Sequence, residues 1–165
     1  MQYVDQYQTL AQIAIGLAGF SGIIITLQKK PASEYATIRR ARLGDLLFAS
    51  LGVIFFSFLP TLIEGVNGDA HNALRISNFM FGCYHVVLVS LFFKTAAGAA
   101  FDPSELLIMP IVFGVMFAQF ATAFGFFAAY VEPAYLLALL WFLFVASFNF
   151  VLLLLDPEGD GDNSN

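Results

Sequence analysis

The residues best suited to chemistry lie within one hydrophobic stretch. His71, Arg75, Asn78, Gly82 and His85 recur at four-three-four-three spacing, which puts them on one side of an α-helix. Counted from Leu74, His85 would sit roughly 16 Å along that helix, near mid-membrane in a spanning segment. Ionisable groups at that depth are costly and usually face a bundle interior or a watered cavity. The stripe does not continue past Val89 and Phe92. It therefore predicts a dead-end path open at the outer end, with His85 as a protonatable group at its floor and Glu64, Asp69 and Arg75 along its approach. Such a site would conduct protons or a small solute. The competing expectation is structural: Asn78 and His85 hydrogen-bond to Gln12, Ser57, Gln119, Thr122 or Asn149 on neighbouring helices, and His71 and Arg75 sit in the interfacial region.

Other chemistry finds less support. His71 and His85 are spaced for two stacked haems, but each iron needs a second axial ligand and the chain has only these two histidines. A single cysteine, Cys83, excludes an intramolecular disulfide or a multi-thiolate metal site. No phosphate-binding loop, paired carboxylates or zinc-ligand cluster occurs. Gly19, Phe20, Ser21 and Gly22 form a string that resembles the surroundings of the nucleophile in rhomboid-type intramembrane serine proteases, and the resemblance would make Ser21 the nucleophile and His85 its base. Rhomboids have a six-helix core and a serine reached from the outer side, whereas Ser21 falls nearer the cytoplasmic end of the first span. The expectation is thus a protein that is not an enzyme and carries no cofactor and no metal.

These residues must be held by a membrane scaffold. Hydrophobic residues make up 59% of the 165 and charged residues only 12%, with a mean hydropathy of +0.80, so too little polar material exists to coat a water-solvated globule. Five stretches reach the roughly 20 apolar residues a spanning helix needs: Thr9 to Leu27, Leu43 to Ile63, Leu74 to Phe93, Leu106 to Tyr130 and Ala134 to Leu155. The fold expected is all-α, a polytopic transmembrane bundle of five helices occupying residues 1–155. Its acidic, disordered tail covers 156–165.

Orientation follows from Lys and Arg. Lys29, Lys30, Arg39, Arg40 and Arg42 form a basic cluster after the first span and Lys94 follows the third, while only Arg75 borders the opposite loops. Loops one and three are then cytoplasmic, the N-terminus outside and the C-terminus inside. No basic residue precedes the first span, which reads as a retained helix rather than a signal peptide. The location expected is the cytoplasmic (inner) membrane of a bacterium. The basic cluster is explained by topology, so nucleic acid is not an expected partner.

Local chemistry marks the turns. Asp102, Pro103, Ser104 and Glu105 start the fourth helix, Asn67, Gly68 and Asp69 turn into the third, and Glu132 and Pro133 divide the fourth from the fifth. Pro60 kinks or terminates the second. On the fourth helix, Gly114, Ala118, Ala121, Gly125 and Ala128 repeat one position after a row of Phe and form a smooth face for close helix approach. Ala11, Ala14, Ala18 and Gly22, with Gly16 and Gly19 on a second side, make the first helix a central one. The partners expected are the lipid bilayer and further helices, in a homo-oligomer or a larger membrane complex.

Overall fold

The computed structural model describes residues 3–27, 37–96 and 103–155. All regular structure in them is helical: α1 (Val4–Leu27), α2 (Thr37–Asn67), α3 (Ala70–Ala96), α4 (Pro103–Ala123) and α5 (Val131–Leu155), with a short 3-10 turn at Ala128–Tyr130. Three stretches, Arg42–Asn67, Ala70–Lys94 and Ala128–Leu155, are long and apolar enough to cross a membrane, and Ile108–Ala123 is a shorter apolar helix. Lys29, Lys30, Asp102 and the acidic tail lie outside the described residues, whereas Arg39, Arg40 and Arg42 fall in the opening turns of α2.

The boundary between α2 and α3 follows its turn residues. Gly68 adopts φ 70 and donates its N–H to the Glu64 carbonyl at 2.7 Å, a left-handed exit that glycine makes without strain. Asp69 then caps α3, its Oδ1 accepting from the backbone N–H groups of His71 (3.0 Å) and Asn72 (3.1 Å).

Pro60 does not end α2, which continues to Asn67. A proline lacks the N–H that would serve the carbonyl four residues earlier, here that of Phe56. The buried hydroxyl of Tyr135 on α5 donates to that carbonyl at 2.5 Å. A neighbouring helix thus supplies what the proline removes, the condition under which prolines persist in apolar helices.

The fourth helix is shorter than the Phe periodicity predicts. It stops at Ala123, Gly125 takes φ 91 and Phe127 φ 57, and the 3-10 turn leads directly into α5 at Val131. Glu132 and Pro133 accordingly lie inside the first turn of α5, where the helix dipole favours an acid and a missing N–H costs nothing. The five residues expected to form one smooth face do not form it, because Gly125 and Ala128 lie beyond the helix end. Of the rest, Ala121 is buried, Ala118 half-buried, and Gly114 exposed with open space where a Cβ would project.

Phe127 is the one non-glycine residue with positive φ among those described, and the left-handed region costs a side-chain-bearing residue about 1–2 kcal/mol. Phe127 is also mostly exposed, so little packing offsets that strain. Phe127→Gly should therefore raise the thermal midpoint of the detergent-solubilised protein slightly. A fall would mean that the ring makes an essential contact.

The core forms around α5, which packs on all four other helices, and α2, which joins α1 to α3. Tyr7, Leu46, Val53, Phe81, Tyr135, Ala138, Leu139 and Ala146 are fully buried there. Phe81 stacks on Phe56 (centroids 4.3 Å apart, planes 16° apart) and meets Phe142 at 4.7 Å, building an aromatic layer between α2, α3 and α5. The central position expected for α1 belongs instead to α5. α1 buries Ala11 and Ala14 against α2 and α5, while Gly16, Gly19 and Gly22 have nothing within 4 Å of where a Cβ would stand.

Candidate functional site

The polar stripe of α3 grades from open to sealed along the helix. His71 is exposed, Arg75 half-buried, and Asn78, Gly82 and His85 are buried. The capped start of α3 fixes their phase, and α4 and α5 supply the wall opposite.

At the N-terminal end of the stripe Arg75 donates from Nε to the Ala123 carbonyl at 3.1 Å. Ala123 is the last residue of α4, so the guanidinium caps that helix and meets the negative end of its dipole. A Cβ on Gly125 would come within 3.3 Å of Arg75 Nη2. Glycine there provides both the positive φ and the room for the arginine. Beside this cap lies an open groove of about 300 Å³ lined by Asn72, Arg75, Ile76, Phe79, Ala123 and Phe124.

One turn deeper, Asn78 Nδ2 donates to the Val131 carbonyl at 3.0 Å, tying α3 to the start of α5. Its Oδ1 has no hydrogen-bond partner. At Gly82 the stripe is closed: a Cβ there would lie 3.0–3.2 Å from ring carbons of Phe120, so the glycine is a socket for that ring rather than a gap in a path. Beyond it His85 Nδ1 pairs with Gln119 Oε1 at 3.1 Å, and the imidazole meets Phe142 edge-on with centroids 5.0 Å apart. Gln119 Nε2 is buried without a partner. With the amide oxygen as acceptor, the imidazole carries its proton on Nδ1.

Of the partners expected for the stripe, Gln119 is the one that takes up His85. Thr122 bonds to the Ala118 and Gln119 carbonyls and Asn149 to the Val145 carbonyl, each within its own helix. Ser21 donates to the Leu17 carbonyl at 2.6 Å. It lies on α1, which packs chiefly on α2 and α5, while His85 is bound to α4, so no nucleophile–base pair forms between them.

Three features were not foreseen from spacing: Tyr135 on Phe56, Phe120 in the Gly82 socket, and Arg75 capping α4. Only the first leaves a trace in the sequence, since Pro60 announces a bare carbonyl at Phe56 and Tyr135 is one of the few polar side chains in a mostly apolar helix. Among the described residues, no three His, Cys, Asp or Glu side chains converge as metal ligands would. Compared with known protein families, curated proteins and solved structures, the chain matches none of them.

Proposed function

We propose that this chain is a non-enzymatic membrane subunit that packs against copies of itself or another helical membrane protein, with all five helices crossing a bacterial cytoplasmic membrane, its N-terminus outside and its C-terminus inside. The observation that carries the reading is the uncovered glycine side of α1. Gly16 and Gly19 face open space on the side of α1 away from the buried Ala11 and Ala14, and Gly22, on the same strip as those alanines, also meets nothing within 4 Å. In lipid no hydrophobic force joins helices, and close backbone approach across small residues is what favours contact.

The basic residues in and before α2 support the orientation. The conducting alternative gains from the unpartnered Asn78 Oδ1 and Gln119 Nε2 but must pass Phe120, which fills the stripe at Gly82.

Cysteine crosslinking in native membranes tests the reading. Cys83 is exposed and must first be replaced, so Gly19→Cys is placed in a Cys83→Ser background and oxidised. A disulfide-linked species of higher mass is expected for Gly19→Cys and not for Gly44→Cys on α2. A strictly monomeric chain in membranes and in mild detergent would overturn the proposal.

A further inference from the structure

We infer that the groove between α3 and the end of α4 binds the headgroup of an anionic phospholipid, with Arg75 on the phosphate and Phe79 and Phe124 against the acyl chain. The inference rests on the membrane placement proposed above. It needs three conditions: a cation free of carboxylates, an apolar wall beside it, and a location at the hydrocarbon boundary.

Charge comes first. Among the described residues Arg75 is the only charged one lining the groove, and one of its five N–H donors is committed to the Ala123 carbonyl. The carboxylates of Asp69 and Glu132 do not line the groove and are bonded elsewhere: Asp69 caps α3, and Glu132 Oε1 accepts the Tyr3 N–H at 3.0 Å. The guanidinium's planar fork matches a phosphodiester, and the Asn72 amide on the groove wall is a further donor. The carbonyl at the end of α4 orients the arginine without neutralising it.

The apolar wall lies directly below. Phe79 and Phe124 are 44% and 64% exposed and sit 6.0 Å apart, edge to face, with Ile76 beside them. Rings exposed to this extent next to a half-buried cation give the two-part surface that a lipid presents in mirror image: charged head, apolar chain.

Depth follows from helix length. The apolar part of α4, Ile108–Ala123 with Leu106 and Leu107 before it, reaches about 27 Å at 1.5 Å per residue, near the roughly 30 Å hydrocarbon core. Ala123 and the Arg75 that caps it therefore stand at the boundary when α4 crosses. The turn that follows carries the exposed Tyr130, a residue type enriched at that level, beside the exposed rings of Phe126 and Phe127.

The test uses the full chain in mixed micelles with equal amounts of phosphatidylglycerol and phosphatidylcholine, the lipids retained being counted by native mass spectrometry. The wild type should prefer phosphatidylglycerol about fivefold, the contribution of one arginine near a membrane surface. Arg75→Gln should lose the preference and Arg75→Lys should keep most of it. A photoactivatable phosphatidylglycerol should label wild-type peptides containing Phe79 and Phe124, which needs no variant to fold. Labelling elsewhere, an unchanged preference in a folded Arg75→Gln, or displacement of the lipid by soluble glycerol phosphate would each overturn the assignment. Extraction of the chain from membranes by alkaline carbonate would instead defeat the membrane placement itself, so the two failures are distinguishable.

Discussion

Tyr135→Phe is expected to lower the unfolding free energy by about 1–3 kcal/mol, the cost of leaving a buried polar group unsatisfied. The variant keeps the ring and its edge contacts with Tyr7 and Phe81, so the loss reports the hydroxyl alone. What it strands is the Phe56 carbonyl, which Pro60 has already deprived of its helical donor. Pro60→Ala should therefore rescue it, because a residue-60 N–H would close the ordinary bond to Phe56. In a double-mutant cycle followed by reversible denaturation in micelles, Tyr135→Phe should cost much less in the Pro60→Ala background. An equal cost in both backgrounds would show that the hydroxyl does something other than serve that carbonyl.

Gly52→Leu should be comparably damaging, at about 2–3 kcal/mol. A Cβ on Gly52 would lie 2.7 Å from Tyr84 Cε1 and 3.5 Å from Phe142 Cδ1. The Tyr84 ring cannot simply swing aside, because its hydroxyl donates to the Phe48 carbonyl at 2.7 Å and its face meets Phe56 and Phe142. Either the α2–α3 contact opens or the tyrosine gives up its bond. Gly44→Leu is the control on the same helix: nothing lies within 4 Å of that position, and the change should stay within about 0.5 kcal/mol. Similar midpoints for the two variants in a denaturant titration would refute the packing argument.

Element type and order were legible in the sequence because they depend on hydrophobic length and turn chemistry. Asn67, Gly68 and Asp69 end one helix and start the next where their φ and capping preferences require. Pro103 opens α4. The phase of the α3 stripe was also legible, since 3.6-residue periodicity alone puts Arg75, Asn78 and His85 on one side.

Periodicity misled where backbone geometry intervened. The Phe row implies helix through Phe127, but Gly125 and Phe127 enter the left-handed region and the chain turns. Nor does spacing say what lies opposite a residue. Gly82 reads as a gap in a polar path and is in fact filled by the Phe120 ring, and the glycines of α1 suggest a centre that α5 occupies. Such outcomes depend on pairings between distant parts of the chain, which periodicity within one helix does not encode.

The place of Tyr135 has a bearing on biosynthesis. A ribosome delivers α2, with its unserved carbonyl at Phe56, long before α5 emerges with the hydroxyl that serves it. Until then the nascent chain holds a polar defect in an apolar segment and lacks the helix against which the other four pack. The packing of α1 to α4 is therefore completed only when α5 is in place, and a chain interrupted before residue 135 is left with that carbonyl unserved.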